Sequence, residues 1–582
     1  MADVSMWWGV QIMSIIFSFI PLLLMIAIVV LVVRKVSNKG IKSNSSAQPV
    51  RLFFQYALAL GLFITLNVGL SGLLGRVLGA STDVVSDQTS LASNLAFVVV
   101  SGPLLAWLII WLKRSIAANP HDAAGFVPTF FATLSAIISL LTFLSSAIAA
   151  AYNVIDGDSA VGYTSARAIV WGIALVAVLR VSNAVIPKDD FRIQYFVGSL
   201  ITAIAAIVGL IKVLSNLLAE LLSQLTVSET QSLEMVTTID RAFDGFVVLA
   251  FSSALWFYYW IKNANVKMNQ PIWLLYVLVA GVGGSLVLGL TSLTITIYQT
   301  FVWFIGNPST QVAAEHFDGL PSAAASAVVG LLAWWYHKSL LPNDSVRSET
   351  QRIYEYLVAA IGLVASTVGL AIIIVAIIES FNVSVIIGDD AANTLIGAAT
   401  VILVSGPVWW RFWNRIQSLV KTSPDQELAS PIRRIYLFLL FGVGGIAAII
   451  SLIIVVFQVF DGILSSNFGN NTLNEMRFAL GILISTGVVA SYHWAIFRHE
   501  KDVEVEFGTK TKSVVLVGPS DANLVDELKA ATGAHVTLWQ RTDVNDIAWP
   551  SEKVIELVEQ TEGEQLLVVL SSTGVIAIPV AH

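Results

Sequence analysis

Residues 271–304 read PIWLLYVLVAGVGGSLVLGLTSLTITIYQTFVWF, an unbroken run without one Asp, Glu, Lys or Arg. A helix that spans a membrane needs about 20 consecutive apolar residues. The whole chain follows this pattern, because 56% of its 582 residues are hydrophobic and only 12% are charged. Soluble domains carry about 25% charged residues. The composition therefore predicts an integral membrane protein and excludes a soluble one.

Apolar runs of similar length recur along the chain as far as residue 499. They predict an all-α polytopic membrane protein of about 13 transmembrane helices, with one helix followed by six parallel helical hairpins. The first run is too long for the apolar part of a signal peptide, so we expect it to stay in the mature protein. The predicted spans are 8–33, 52–79, 91–112, 127–152, 164–185, 193–219, 242–261, 271–304, 319–337, 353–380, 391–410, 435–460 and 475–497.

The charges of the connecting segments predict the orientation of the helices. Every second connection is basic, and the connections between them contain no Lys or Arg. Because Lys and Arg concentrate in cytoplasmic loops, we expect the N-terminus outside the cell and the C-terminal residues in the cytoplasm. The basic segments are 34–51, 113–128, 180–192, 262–270, 338–352 and 411–434.

The helix pairs repeat along the chain with a nearly constant period. Tyr195, Tyr276, Tyr356 and Tyr436 stand at the start of the first helix in four pairs, and their positions are almost evenly spaced. Each pair returns the chain to the same side of the membrane, so the pairs are expected to be related by an axis along the membrane normal. The first helices are predicted to be longer than the second helices, which we expect to hold about 20–24 residues.

The chain divides into four predicted segments. Residues 1–50 hold the first helix and a basic linker, 51–190 two divergent helix pairs, and 191–498 four clearer pairs. Residues 499–582 have the composition of a soluble domain. From residue 500 onward there are 6 basic and 14 acidic residues, a net charge of −8. Such an acidic segment disfavours nucleic acid and favours a cytoplasmic protein partner.

The soluble segment predicts a small β-α-β-α-β-β domain. Its two helices begin at capping residues, with Ser520 or Asp521 before the first and Ser551 before the second. The last two strands flank a Ser-Ser-Thr-Gly turn and are expected to form a hairpin. The predicted strands are 512–517, 535–540, 565–570 and 575–580, and the predicted helices are 520–532 and 551–560.

Aromatic and His-rich sequences end several of the second helices. The tandem pairs together with these ends resemble a bacterial domain-of-unknown-function family of integral membrane proteins built from two-helix repeats, over about residues 50–500. The resemblance implies a helical membrane fold in the bacterial inner membrane and no particular activity. The sequences that carry it are Trp334-Trp335-Tyr336-His337, Trp409-Trp410-Arg411-Phe412-Trp413 and Tyr492-His493-Trp494.

Three polar residues recur near the outer ends of first helices. Gln299, Glu379 and Gln458 follow one another with nearly the same period as the tyrosines, and each is followed two positions later by Phe. Equivalent helices would place them at one depth, where a ring of amide and acid groups selects cations in a channel. Hydrogen bonding between helices is the alternative explanation of these residues.

The inner helix ends offer aromatic and histidine side chains. The tryptophans are expected to lie at the level of the lipid headgroups as interface anchors. His337 and His493 occupy matching positions, so they are weak candidates for binding haem or a chlorophyll-type pigment. The anchor residues are Trp256, Trp260, Trp334, Trp335, Trp409, Trp410, Trp413 and Trp494.

No catalytic motif stands out, so we expect no enzyme activity, no cofactor and no metal. The chain has no cysteine, and its seven histidines are scattered. The first hypothesis is a non-enzymatic membrane scaffold or assembly subunit with a cytoplasmic docking domain, in contact with lipid and with homo-oligomeric or membrane-complex partners. The alternative is a channel or carrier with Gln299, Glu379 and Gln458 at its outer mouth. A cofactor carrier that uses His337 or His493 is the third hypothesis.

Overall fold

The structure is a computed structural model. The chain divides into two compact units, Met1–Ser418 with Leu439–Ser491, and Leu419–Phe438 with Tyr492–His582. The predicted first helix, 8–33, lies outside the described residues. The structure describes residues 47–79, 84–118, 126–185, 193–225, 235–265, 271–342, 347–380, 391–428, 430–466, 469–501, 511, 513–541, 549–561, 563–571 and 574–580.

Twelve helical segments within these residues are long and apolar enough to cross a membrane. They follow one another as six hairpins, which confirms the predicted polytopic helical fold for this part of the chain. The helices are α1 (Ala47–Leu78), α2 (Val84–Ala118), α3 (Phe126–Asp156), α4 (Val161–Val185), α5 (Ile193–Leu225), α6 (Met235–Trp256, continued by the π-helix Phe257–Ala264), α7 (Pro271–Leu275, the π-helix Tyr276–Gly284 and Ser285–Ile305), the short α8 (Ala313–His316), α9 (Leu320–Ser339), α10 (Glu349–Ser380), α11 (Ala391–Thr422), the short α12 (Pro424–Leu428), α13 (Pro431–Leu464) and α14 (Asn470–Lys501).

The predicted difference in length between first and second helices is wrong for most pairs. The second helices α2, α11 and α14 have 35, 32 and 32 residues, as many as the first helices. Only α4 and α9, with 25 and 20 residues, are distinctly shorter. The apolar run of α11 ends at Trp410, but its helix continues through a polar stretch to Thr422, because Arg, Gln and Lys are good helix formers.

Small residues allow the two helices of a hairpin to approach closely. A Cβ atom added to Gly209 of α5 would lie 2.5 Å from the backbone nitrogen of Leu249 in α6. One added to Gly245 of α6 would lie 2.7 Å from the backbone nitrogen of Val213 in α5. Since lipid is as apolar as the side chains, such close backbone packing is a main source of helix association in membranes.

The C-terminal domain has the predicted order of elements. Its strands β1 (Ser513–Gly518), β2 (His535–Gln540), β3 (Gln565–Ser571) and β4 (Gly574–Pro579) form one sheet in the order β2-β1-β3-β4. β1 is parallel to β2 and to β3, and β4 pairs with β3 in the predicted antiparallel hairpin. The helices are α15 (Ala522–Thr532) and α16 (Ser551–Gln560).

The two helices of this domain begin differently. Asp521, one of the two candidates, caps α15 by accepting hydrogen bonds from the backbone nitrogens of Asn523 and Leu524 at 3.1 and 3.2 Å. The prediction that Ser551 caps α16 is wrong. Ser551 is the first helical residue, and Pro550 occupies the cap position without a side-chain hydrogen bond.

One face of the sheet is covered, and it carries the core of the domain. Alternate residues of β1 and β3 are buried together with residues of both helices. The intervening strand residues point to the opposite face and are only half-buried or exposed. The core consists of Val514, Leu516, Leu524, Leu528, Ala534, Val536, Trp549, Val554, Val558, Leu566, Val568 and Leu570.

Replacing Gly209 with Leu is expected to lower the free energy of unfolding by about 1–3 kcal/mol, because the new side chain would press on the backbone of α6. The matched control is Gly442→Leu in α13, where an added Cβ has no atom within 4 Å. The thermal unfolding midpoint of the chain in mild detergent measures both effects. Equal losses in the two variants would contradict the close-packing argument.

Candidate functional site

The end of helix α9 presents two different faces. Residues four apart in a helix lie above one another, so Trp334 and Lys338 share one face. The Lys338 ammonium lies 5.3 Å from the centroid of the Trp334 ring. Tyr336 and His337 lie on the other face, where His337 packs against the ring of Tyr276 in α7. This single helix end therefore contributes to two separate polar-aromatic clusters.

A cavity of about 1070 Å³ lies beside the face of α9 that holds Trp334 and Lys338. Helices α7, α9, α10 and α11 all contribute to its wall, which is mostly apolar. The volume is at the upper end of what small-molecule sites occupy. The apolar part of the wall is formed by Leu286, Leu290, Leu331, Val358, Pro407 and Val408.

A buried carboxylate lies in the wall of this cavity. Only 2% of the Glu355 side chain is exposed. Arg347 donates a hydrogen bond to one of its oxygens, and Nε of Arg415 lies 3.1 Å from the other. A buried charge is tolerated only when it is paired and hydrogen-bonded, so the two guanidinium groups account for the burial of Glu355.

Two further cations border the cavity from exposed positions, Lys338 and Arg411. Among the residues that the structure describes, no carboxylate lies within 4.0 Å of either cation. Lys338 lies over two aromatic rings, those of Trp334 and Tyr354, at 5.3 and 6.0 Å. The negative charge of Glu355 is matched by Arg347 and Arg415. Lys338 and Arg411 therefore leave the lining of the cavity with an excess of positive charge.

Two buried hydrogen-bond donors also reach the cavity wall. The Tyr354 side chain is 6% exposed, and its hydroxyl has no hydrogen-bond partner among the described residues. The indole N–H of Trp334 is likewise buried without a described acceptor. Buried polar groups in proteins are almost always hydrogen-bonded, so this wall can donate to an acceptor that enters the cavity.

The other face of α9 closes an aromatic cluster built on two π-helical segments. Trp260, in the π-helix of α6, stacks on Tyr276 in the π-helix of α7, with 4.4 Å between ring centroids. Its indole N–H donates to the hydroxyl of Tyr336 at 2.8 Å. π-Helical turns are rare and frequently mark functional sites. A hydropathy profile does not reveal them, because it depends on which residues a segment contains and not on how the turns of its helix are hydrogen-bonded.

The two candidate histidines are both buried. Nδ1 of His337 lies 2.8 Å from the carbonyl oxygen of Ala333, and Nε2 has no hydrogen-bond partner in the described chain. The ring packs so closely on Gly281 that an added Cβ would collide with it. His493 packs edge-on against Tyr436, with 5.9 Å between ring centroids. No group of three His, Cys, Asp or Glu side chains that could hold a metal occurs among the described residues.

The three polar residues at the outer helix ends take part in different contacts. Arg477 in α14 donates to Glu379 at 2.8 Å. The side-chain amide of Gln458 donates to the backbone oxygen of Glu475 at 3.1 Å. The carbonyl oxygen of the Gln299 side chain is buried without a partner in the described residues. Glu379 and Gln458 each contact the start of α14, and no hydrogen bond joins the three described side chains to one another.

The tryptophans predicted as interface anchors differ in exposure. Side chains that contact lipid headgroups must be exposed on the protein, and Trp335, with 64% exposure, meets that condition. Trp260 and Trp413 are 0% and 2% exposed and pack within the protein. The exposed group is Trp335, Trp410 and Trp494, and the partly buried group is Trp256, Trp334 and Trp409.

Sequence reasoning singled out Trp334 and Trp335 of the cavity wall only as interface anchors, and it did not single out the charged cluster of Glu355, Arg347 and Arg415. Glu355 was not recognised, because only the basic residues of the connections and the apolar residues of the spans were used to predict the topology. The acids at the boundary between them were not considered. Its signal is the sequence Tyr354-Glu355-Tyr356, a carboxylate at the edge of a long apolar helix, where an ionisable group needs a partner. Arg347 and Arg415 could not be recognised as that partner, because one lies in the preceding connection and the other at the far end of the next helix.

Within the described residues, twelve long apolar helices and their buried paired charges define a multi-pass membrane protein. Residues 52–181 and 352–488 match the family described as "Domain of unknown function (DUF5671)". Each matched region spans four transmembrane helices, α1 to α4 in the first and α10 to α14, with the short α12, in the second. No curated protein and no solved structure matches the chain.

Replacing Glu355 with Gln is expected to lower the free energy of unfolding by about 3 kcal/mol, because it removes the buried carboxylate that pairs with both Arg347 and Arg415. The matched control is Glu349→Gln. The Glu349 side chain is 51% exposed and pairs with Arg352, and such exposed pairs contribute about 1 kcal/mol or less. Thermal unfolding in mild detergent compares the two. A larger loss in the Glu349 variant would contradict a structural role for the buried carboxylate.

Proposed function

We propose that the protein is a non-enzymatic membrane scaffold or assembly subunit that associates with further copies of itself through its C-terminal domain. It lies in the bacterial inner membrane, with its N-terminus outside and the C-terminal domain in the cytoplasm, as the basic loops indicate. The observation that carries this proposal is the open apolar face of the sheet in the C-terminal domain.

The open face consists of two apolar rows across all four strands. In one row Val517 lies between Trp539 and Val569, and Ile576 pairs with Val569. The second row is Thr537, Val515, Leu567 and Ile578. Trp539 is 60% exposed and Ile576 53%. A contiguous apolar patch of this kind is typical of a protein interface.

The parallel pairing of β1 with β2 and β3 supports the proposal that a second layer of protein covers this face. All-parallel sheets occur almost only where both faces are covered, and their strands are continuous apolar runs. Residues 514–517 of β1 and 566–570 of β3 are such runs. Among the described residues of the C-terminal domain, helices α15 and α16 cover one face only, so the sequence of the strands fits a sheet with a second layer.

The distribution of charge on the C-terminal domain is compatible with a second copy of the chain packing on this face. The strand residues that point to it include no Asp, Glu, Lys or Arg. The described acids Glu527, Glu552 and Glu556 lie on the helices that cover the opposite face. Packed sheets lie about 10 Å apart, so acids beyond the covered face are separated by more than the Debye length of about 8 Å at physiological ionic strength. Repulsion between two acidic domains is therefore largely screened when their open faces meet.

The size of the face indicates how such pairing would work. Four strands about 4.8 Å apart and about six residues long cover roughly 400 Å². Stable interfaces bury about 800 Å² on each partner. The contact is therefore weak between free domains and becomes effective between chains whose helices hold them in one membrane, where the local concentration is high.

Cysteine cross-linking tests this arrangement cleanly, because the natural chain contains no cysteine. Val517→Cys and Thr537→Cys place a thiol on the open face, and Glu552→Cys places one on α16 as the matched control. In native membranes, a short bis-maleimide is expected to convert the two face variants, but not the control, to a species of twice the 62.8 kDa chain mass. Adding Trp539→Lys should reduce the dimer at least fivefold.

Two outcomes would contradict self-association through the open face. In the first, a monofunctional maleimide labels both face variants and no dimer forms with the bifunctional reagent, so the face is accessible and unoccupied. In the second, the face thiols resist labelling in the membrane and no dimer forms, so something other than a second copy covers the face.

A channel or carrier is the second candidate function, and the observation that favours it is the buried side-chain oxygen of Gln299, which has no partner among the described residues. A substitution of Glu379 distinguishes the scaffold from the channel or carrier. As a scaffold residue it joins α10 to α14 through Arg477, so Glu379→Gln is expected to cost about 1 kcal/mol of stability and to cause no ion flux in liposomes. The exchange Glu379→Arg with Arg477→Glu should restore most of that stability. Altered flux in an intact, fully assembled Glu379→Gln variant would overturn the scaffold function.

A further inference from the structure

The cavity between α7, α9, α10 and α11 has two chemically different parts. Its polar part holds the exposed cations Lys338 and Arg411 together with the buried donors of Trp334 and Tyr354. Its apolar part is formed by the aliphatic side chains of α7, α9, α10 and α11 described above, among them Leu286. A single ligand that satisfies both parts must combine a hydrogen-bond acceptor with an apolar body.

The polar part selects a negative charge. All four of its groups are cations or hydrogen-bond donors, and none is matched by a carboxylate or acceptor in the described chain. Glu355, the one acid among the described residues of the lining, is already paired with Arg347 and Arg415. A phosphate oxygen accepts hydrogen bonds from Lys, Arg and neutral donors alike. A neutral ligand would leave the two cations unmatched.

The apolar part excludes a free inorganic anion as the full occupant. Phosphate is far smaller than about 1070 Å³ and would leave the aliphatic wall hydrated. Burying apolar surface away from water is favourable, so an acyl chain along Leu286, Leu290 and Val358 adds affinity that a free anion cannot. We propose that this cavity binds an anionic lipid, with its phosphate against Lys338, Arg411 and the hydroxyl of Tyr354, and with an acyl chain along the aliphatic wall.

The cavity belongs to residues 286–415, and the open sheet face to residues 513–578. Lipid binding therefore does not depend on the proposed self-association. A chain that fails to cross-link through its C-terminal domain can still retain lipid, and a chain that loses lipid can still form the dimer.

Native mass spectrometry of the full chain tests the proposal. The chain is purified in neutral detergent and equilibrated with dioleoyl phosphatidylglycerol, with dioleoyl phosphatidylcholine as a lipid of equal tails and no net charge, or with inorganic phosphate. We expect one phosphatidylglycerol per chain to be retained at least tenfold more strongly than phosphatidylcholine. Phosphate at millimolar concentration should not displace it.

Substitutions assign the binding to the cavity. The double variant Lys338→Gln with Arg411→Gln is expected to weaken retention of phosphatidylglycerol at least tenfold, and Tyr354→Phe, which removes only the hydroxyl, several-fold. Lys421→Gln is the matched control, because Lys421 is an exposed cation on the same helix as Arg411 and does not line the cavity. The thermal midpoint in neutral detergent without added lipid checks that each variant is folded.

Four results would overturn the proposal. Equal retention of phosphatidylglycerol and phosphatidylcholine would show that the cavity does not recognise the net charge of the lipid. Displacement of the lipid by inorganic phosphate would indicate a site for a free anion. A loss in Lys421→Gln as large as in the double variant, or full retention in a folded Tyr354→Phe variant, would place the lipid elsewhere on the basic end of the helices.

Discussion

Inside a lipid bilayer no water is present to satisfy a peptide group, so each segment that crosses the bilayer must make its backbone hydrogen bonds within itself. That constraint accounts for the twelve long helices in the described part of the chain and for their apolar surfaces. It also limits where polar side chains are tolerated. The buried carboxylate of Glu355, for example, is matched by Arg347 from the preceding connection and by Arg415 from α11.

The same constraint explains how the helices hold together. Because lipid competes equally well for apolar side chains, association depends on close backbone packing and on a few interhelical polar contacts. Glycines such as Gly209 and Gly245 provide the close packing between α5 and α6. Arg477 and Glu379 provide a polar contact between α10 and α14. Both kinds of contact join helices without placing an unmatched charge in the apolar region.

The apolar runs were sufficient to predict the helices and their number within the described residues, because the preference for lipid is a property of the segment as a whole. The order of elements in the C-terminal domain followed from strand-like runs, the cap at Asp521 and the final turn. Helix ends were less predictable. α11 continues well beyond Trp410 to Thr422 through polar helix formers, which hydropathy treats as loop.

The cavity was not predictable for a different reason. Its residues come from four helices, and their proximity depends on how those helices pack, which no local pattern contains. Tyr354 and Trp334 look like ordinary interface aromatics in the sequence, and only the structure gives the burial of their donors. The π-helical segments of α6 and α7 were also missed, since an extra residue in one turn leaves hydropathy unchanged.

The hairpin architecture has a consequence for how such a chain can change by duplication. Gaining or losing one hairpin adds or removes two crossings, so every later element keeps its side of the membrane. The two regions that match the same family each comprise four long helices, which is again an even number. A gene encoding this architecture can therefore lengthen or shorten by whole units while its terminal domain stays in the same compartment.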